Sequence, residues 1–121
     1  MTYTLDSWLI ELQQDLRTHF KPVLLGRAKT VFGFEFDQGS PFHLIVDNDN
    51  FSFNSGLHDA PTVTLYVSDH QTLKELLTGT ADGMEVFMES RYRADGNIVL
   101  SQLLLYLFKP DRPTIAYEVK D

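Results

Sequence analysis

Hydrophobic residues recur at helical spacing near the start of the chain. Leu5, Trp8, Leu9, Leu12 and Leu16 fall on one face of a 3.6-residue helix. Polar and charged residues occupy the opposite face. The pattern predicts an amphipathic first helix, and the proline at position 22 is expected to interrupt it.

The hydrophobic period then changes to two residues, which is typical of half-buried strands. Turn-forming residues separate the alternating segments at 37–41 and 47–50. Because short turns cannot join parallel strands, the pattern predicts a four-stranded antiparallel meander. The residues that we expect on its buried face are Phe32, Phe34, Phe36, Phe42, Leu44, Val46, Phe51, Phe53, Val63, Leu65 and Val67.

Two helices are expected after the fourth strand. Ser68 and Gln71 have the spacing of a capping box, and Gly79 supplies a stop signal. A second, shorter helix is expected to begin near Asp82, which is a suitable N-cap. The residues that this short helix is expected to bury are Met84, Phe87 and Met88.

A short fifth strand, at about 90–94, and a turn at 95–97 lead to a last helix from Asn97 to Phe108. Alternating apolar residues at 115, 117 and 119 suggest a further extended segment in the tail. The element order α-β-β-β-β-α-α-β-α predicts an α+β fold. Residues 1–121 are expected to form a single domain.

The last helix is apolar nearly all round, with no charged residue between Ile98 and Phe108. One stripe accounts for packing on the sheet: Leu100, Leu103, Leu104, Leu107 and Phe108. The residues left over are Ile98, Val99, Leu105 and Tyr106. Such a helix must be covered on both sides. Other helices, a second subunit in a homodimer, a bound lipid or a membrane would each provide that cover.

Charge and composition restrict the function classes. The net charge of −7 and the scattered basic residues exclude nucleic acid as an expected partner. The chain has no cysteine, which excludes disulfides and thiolate metal sites. Its first residues do not resemble a signal peptide, its last three do not form a peroxisomal address, and its longest apolar stretch is too short to span a bilayer. We therefore expect a cytoplasmic protein.

Candidate catalytic and metal-binding residues have simpler structural explanations. His58-Asp59 and Asp69-His70 are sequence neighbours, and Asp69 lies at an expected helix cap. The run 47–50 resembles the start of a calcium loop but lacks its Gly and its final Glu. Arg91 and Arg93 are expected to point outward from the fifth strand, either on a solvated strand face or on a rim that attracts a lipid head group. We predict no catalytic residue, no bound metal and no cofactor.

The stretch from Thr62 to Phe108 resembles the sterol carrier protein type 2 family. A Thr-rich strand, an acidic helix start and a helix ending in Gly79 occur in the family's order. Residues 86–97 then fit, without a gap, the family's usual run Ala-Phe-Met-x-Gly-Lys-Leu-Lys-Ile-x-Gly-Asn. Ser90 stands where that run has Gly, and Ala94 stands where a larger β-branched residue is usual, which would leave more space in the core.

The resemblance implies a five-stranded, mostly antiparallel sheet, covered on one face by helices and enclosing an apolar tunnel. Family members of this kind bind a lipid, which here would be a fatty acyl, sterol-like or isoprenoid ligand. The start of the last helix differs from that of the sterol-binding members, whereas a fatty acyl or isoprenoid ligand is compatible with it. The residues that we expect to line the tunnel are Trp8, Leu12, Phe34, Phe36, Leu76, Phe87, Leu103, Leu104 and Leu107.

Two other functions remain open beside a lipid carrier. One is a non-catalytic interaction or dimerisation module, in which the apolar last helix docks a partner. The other, implied by the resemblance, is an accessory factor for isoprenoid quinone synthesis. A carrier would also make transient contact with a membrane or a lipid-handling enzyme. A cone-shaped fold of the nuclear-transport-factor type is a competing architecture, but the two helices between strands four and five fit it poorly.

Overall fold

The computed structural model describes residues 4–21, 29–81 and 83–108. Nine elements follow one another in these ranges: α1 (Leu5–Arg17), β1 (Thr30–Gln38), β2 (Phe42–Asp47), β3 (Asn50–Ser55), β4 (Val63–Asp69), α2 (His70–Thr78), α3 (Gly83–Met88), β5 (Tyr92–Gly96) and α4 (Ile98–Leu107). The strands form one five-stranded sheet in the order β3-β2-β1-β4-β5. This confirms the α+β class and the element order expected from the sequence.

The sheet is mixed, so the expected four-stranded antiparallel meander is wrong. β1, β2 and β3 do form antiparallel neighbours. β4, however, pairs with β1 in parallel, with Phe34 opposite Leu65. The chain between Gly56 and Thr62 must therefore pass β2 and β1, a distance of about 14 Å at normal strand spacing. Seven extended residues reach about 23 Å, so this connection is long enough for the crossover.

The crossover connection runs over the sheet face opposite the helices. His43 accompanies it there, since its Nδ1 lies 2.8 Å from the carbonyl oxygen of Gly56 and its ring lies 5.3 Å from that of His58. A Cβ added to Gly33 would lie 3.4 Å from the Cβ of Pro61. A glycine at position 33 of β1 therefore lets the connection lie close to the sheet.

The other sheet face forms the hydrophobic core. Register places Phe32 opposite both Leu44 and Val63, and Phe34 opposite both Phe42 and Leu65. All six side chains are buried. The alternation in the sequence therefore identified the buried sheet face correctly. Leucines of α1, α2 and α4 belong to the same core cluster, so these helices pack on this face.

Both ends of α2 follow helix-capping rules, although the N-cap is one residue later than the capping box implied. Asp69, not Ser68, is the N-cap, and its carboxylate accepts a hydrogen bond of 2.8 Å from the Thr72 amide. The Ser68 hydroxyl instead donates to Thr72 Oγ1 at 3.1 Å. Gly79 ends the helix in the left-handed conformation, with φ of 80°, as its position predicted.

The expected burial of the short helix α3 is also wrong. Met84, Phe87 and Met88 are exposed, whereas Val86 is the side chain of α3 that enters the core. Six residues make fewer than two helical turns, so the hydrophobic spacing could not determine which side faces inward. The expected helix break at position 22, the cap at 82 and the tail segment at 115–119 lie outside the described residues.

In the part of the chain that the structure describes, no helix has the length and hydropathy that crossing a bilayer requires.

Candidate functional site

A cavity of about 940 Å³ lies at the β5 edge of the sheet. The end of α2 and the loop after it form one wall, and α3, β5 and α4 form the others. The described residues that line it are Leu76, Gly79, Thr80, Ala81, Met84, Phe87, Tyr92, Arg93, Ala94, Ile98, Ser101, Gln102, Leu105 and Tyr106. More than half of the surface of Met84, Phe87, Ile98 and Tyr106 is exposed, so the cavity opens to solvent between α3 and α4.

Local sequence explains how β5 and α4 come to share this cavity. Tyr92 and Ala94 lie opposite Val67 and Leu65 of β4, which turns both side chains toward the helix-covered face. Gly96, with φ of 109°, then reverses the chain. The Asn97 side chain caps α4 by accepting a hydrogen bond of 3.1 Å from the Leu100 amide. The helix therefore begins directly beside the strand that forms the cavity floor.

The two apolar sides of α4 have different surroundings. Leu104 and Leu107 enter the core and are fully buried. Ile98, Leu105 and Tyr106 line the cavity instead. These three belong to the residues that the packing stripe on the sheet left unexplained. Their apolar character is thus accounted for by the cavity wall.

The cavity wall is mainly apolar, with a few polar groups near the start of α4. Burial raises the pKa of the Tyr92 phenol, and a hydrogen bond with Ser101 partly offsets this effect. The Ser101 hydroxyl itself donates to the carbonyl oxygen of Ile98 at 2.7 Å. Tyr92 is therefore neutral at physiological pH. Among the described lining residues none is acidic, and the charged one is Arg93.

Arg93 lies on the edge strand with its guanidinium turned toward the outer sheet face. Its Cζ atom lies 4.2 Å from the ring centroid of Tyr66, the residue opposite it in the register. This is a cation–π contact, and it holds the guanidinium on the outer sheet face, away from the side on which Tyr92 and Ala94 lie. The interior walls are thus formed by neutral side chains, as far as the described residues extend.

The sequence profile of the SCP-2 sterol transfer family matches residues 11–109, which is most of the chain. The chain belongs to this family. The expectation drawn from the motifs between Thr62 and Phe108 is thereby confirmed. At the level of sequence, no curated protein matches this chain.

Solved structures share the SCP-2 fold with this chain. The inverting sec-alkylsulfatase Pisa1 from Pseudomonas sp. superposes with a TM-score of 0.69 at 14% identity, over 93% of this chain and 17% of the sulfatase. The ubiquinone synthesis protein UbiJ-SCP2 gives 0.66 at 11% identity, over 88% of this chain and 93% of its own. Palmitated SCP2L2 from Aedes aegypti gives 0.57 at 18% identity, over 83% and 90%. The chain therefore spans less than a fifth of the sulfatase but most of the other two.

The nine residues expected to line a tunnel divide into three groups in this SCP-2 fold. Leu76 and Phe87 line the cavity. Trp8, Phe36 and Leu103 are half-buried and are not among the lining residues. The four that fill the core are Leu12, Phe34, Leu104 and Leu107. Which of the nine contact a ligand stays a prediction.

Several wall residues were not on that list. Met84, Ile98, Leu105 and Tyr106 line the cavity, whereas the hydrophobic pattern had predicted the opposite side of the last helix. A signal for three of them was present, because Ile98, Leu105 and Tyr106 were unexplained by the packing stripe. Met84 carried no such signal, since a hydrophobic position in so short a helix is equally compatible with burial.

Three of the four residues considered for catalysis have structural contacts. His58 Nδ1 accepts a hydrogen bond from the Ala60 amide at 3.0 Å, within the crossover connection. His70 Nε2 lies 2.8 Å from the Ser40 carbonyl oxygen, and its ring stacks on Trp8. Asp69 caps α2. Within the described residues, no group of three or more His, Asp and Glu side chains is arranged to hold a metal ion.

Proposed function

We propose that this SCP-2 family member binds a single lipid chain in the cavity between α3, β5 and α4, as a carrier or accessory protein without chemistry of its own. The observation that carries the proposal is the cavity itself. It has a volume of about 940 Å³, and its described interior walls are apolar or neutral. Sites for small hydrophobic ligands have volumes of roughly 300–1,000 Å³.

Burial alone supplies enough free energy for such binding. Each methylene removed from water contributes about 0.8 kcal/mol. Ten buried methylenes therefore correspond to roughly micromolar affinity. Because one methylene of about 0.8 kcal/mol changes the affinity only about fourfold, the preference is for a class of chains rather than for one lipid. SCP2L2 from Aedes aegypti shares the fold and has a solved structure in palmitated form, which supports fatty acyl chains as that class.

A second candidate ligand class is an isoprenoid chain. UbiJ-SCP2, a ubiquinone synthesis protein, resembles this chain over 93% of its own length. An accessory role in quinone synthesis would use the same cavity, since an isoprenoid tail is also apolar and flexible. The sulfatase resembles the chain over 17% of its length, so it supports the domain fold and not an enzymatic activity of this chain.

Native mass spectrometry of the purified protein, followed by organic extraction, tests the proposal directly. We expect a co-purifying lipid, or an adduct after incubation with palmitate or an isoprenoid quinone precursor. The relative occupancy by the two probes then separates the candidate classes. A protein that stays free of both probes would contradict lipid binding and favour an interaction module.

A matched pair of variants locates the ligand. Ala94 lines the cavity, so Ala94→Phe should fill part of it and weaken palmitate binding by about tenfold or more. Ala60 is exposed in the crossover connection on the opposite sheet face, so Ala60→Phe should leave affinity unchanged. Unfolding curves without ligand verify that both variants fold. Equal affinities for the two variants would exclude this cavity as the site.

A further inference from the structure

The mouth of the cavity is surrounded by exposed apolar side chains. On α3, Met88 is 74% exposed and Phe87 is 55% exposed. On α4, Val99 is 65% exposed and Ile98 is 52% exposed. Met84 and Tyr106 extend the same surface. We call these six residues the rim patch. A surface helix usually buries its largest apolar side chains. α3 instead buries Val86 and exposes Met84, Phe87 and Met88.

The rim patch is continuous with the proposed lipid site. Phe87 and Ile98 belong both to the rim patch and to the cavity wall. Met88 and Val99 are their sequence neighbours but do not line the cavity. A lipid that enters or leaves between α3 and α4 would therefore pass over the rim patch. An apolar surface around that opening would keep the lipid chain out of water during the passage.

The size of the rim patch indicates a functional surface but not a stable dimer interface. Large apolar side chains cover on the order of 200 Å² each, so six that are more than half exposed present roughly 600 Å². Patches of this size on monomers are often functional. A stable protein interface takes about 20–30 residues a side, far more than six. A second copy seated on this surface would also close the mouth of the cavity.

The charged residues near the rim patch indicate which kind of membrane surface it would bind. Glu85, Glu89 and Asp95 carry three carboxylates, and Arg91 and Arg93 carry two guanidinium groups. Arg91 is already paired with Glu89 at 2.6 Å. The chain as a whole has a net charge of −7. Attraction to anionic lipids requires clustered basic residues, so these charges favour a neutral lipid surface.

We infer that the rim patch is a membrane-docking surface, which inserts α3 and the start of α4 into the interface of a zwitterionic bilayer and opens the cavity toward the lipid phase. Aromatic and aliphatic side chains on short interfacial helices bind bilayers in this way. The inference rests on the proposed function, because the bilayer is the source or the destination of the bound lipid. Met88 and Val99 are the rim-patch residues that do not line the cavity, so docking can be tested separately from ligand binding.

Cosedimentation with phosphatidylcholine vesicles tests the docking surface. The test variant is Met88→Ser/Val99→Ser, which changes the rim patch without touching the cavity wall. Its control is Leu57→Ser, which removes a side chain that is 52% exposed and lies in the crossover connection. We expect the double variant to lose about tenfold or more in vesicle partitioning, since each side chain loses its transfer from water. The control should bind vesicles like the original chain, and 0.5 M salt should not release it.

Palmitate binding in solution, measured on the same proteins, separates failure of docking from failure of the proposed function. We expect unchanged palmitate affinity in the double variant. Vesicle binding that survives Met88→Ser/Val99→Ser, that falls equally in the control, or that salt abolishes would overturn the docking surface. The docking surface would also be overturned if the original chain does not bind vesicles and instead forms a dimer that the double variant dissociates. Vesicle binding without palmitate binding would keep the docking surface and overturn the lipid carrier.

Discussion

At the scale of single residues, Ser90 holds a left-handed backbone with φ of 62°. It follows α3, and its amide donates a hydrogen bond of 3.0 Å to the Phe87 carbonyl. The family run that residues 86–97 resemble has glycine at this position, and the left-handed geometry gives a reason for it. A side chain costs about 1–2 kcal/mol in the left-handed region, whereas glycine adopts it freely.

We therefore expect Ser90→Gly to stabilise the protein by about 0.5–1 kcal/mol, the net of relieved strain and a more flexible unfolded chain. Urea unfolding measures the change. Asn48→Gly is the control, because Asn48 has φ of 60° but asparagine tolerates that conformation better than serine. A Ser90→Gly protein less stable than the original would show that the strain is not real.

The carboxylate of Asp69 caps the start of α2. Hydrogen bonds from the Thr72 side chain and backbone, and then the charges of Arg91 and His70, lower the pKa of Asp69 below its usual 3.8. A lowered pKa means that this contribution to stability is complete above pH 3.8 and is lost as the pH falls through the folded-state value. Asp69 is thus a source of acid lability.

Replacing Asp69 by Ala should cost about 1 kcal/mol at pH 7, the usual value of a lost N-cap. The difference from the original chain should shrink below pH 3.8, where the original carboxylate is itself protonated. Asp69→Asn keeps an acceptor for the Thr72 amide and should lose less. Thermal unfolding at pH 7 and pH 3 checks both statements. A deficit that is equal at the two pH values would contradict the ionised cap.

At the scale of elements, the length of each periodic segment decided what the sequence could predict. The first four strands and α1 have several alternations or turns, and their buried faces were predicted correctly. α3 has six residues, and its inward side was predicted wrongly. The parallel pairing of β4 with β1 was also not predicted. Turn-forming residues such as those between Ser55 and Val63 are compatible with a hairpin and with a crossover. Gly33 was a local signal of that crossover, since a glycine within a strand often marks a close approach of backbone.

Two glycines with positive φ allow the cost of a left-handed backbone to be measured with and without a steric clash. Gly56 has φ of 87° and open space where a Cβ would be. Gly96, at the end of β5, has φ of 109°, and a Cβ there would lie 3.2 Å from the Thr62 carbonyl oxygen and 3.3 Å from Val63 Cα. Both of these neighbours are backbone atoms of β4 or its approach, which cannot move independently.

Gly56→Ala should therefore cost about 1–2 kcal/mol, the price of the left-handed conformation. Gly96→Ala should cost more, because β5 must also move away from β4. Amide hydrogen exchange of Tyr92 and Ala94 reports this locally, and we expect faster exchange in Gly96→Ala than in Gly56→Ala. Equal stability and equal exchange in the two variants would indicate that β5 yields without cost.

At the scale of the whole molecule, the sequence predicted the architecture better than the site. The same apolar residue types build the core and the cavity wall, so Leu104 and Leu105 are indistinguishable by composition although one is buried in the core and the other lines the cavity. The difference arises from which neighbours surround α4. That depends on β5 and α3 arriving at the sheet edge, which is a property of the assembled fold.

A ligand held in the cavity must stabilise the whole fold, because its walls come from α2, α3, β5 and α4 together. Binding to the folded state alone contributes about 2.7 kcal/mol when free palmitate is at 100 times its dissociation constant. For a chain of 121 residues this raises the melting temperature by several degrees. We expect the rise to continue with the logarithm of palmitate concentration, to persist in Ala60→Phe and to be at least halved in Ala94→Phe, because its binding is about tenfold or more weaker. Equal rises in both variants would mean that palmitate stabilises the chain from outside the cavity.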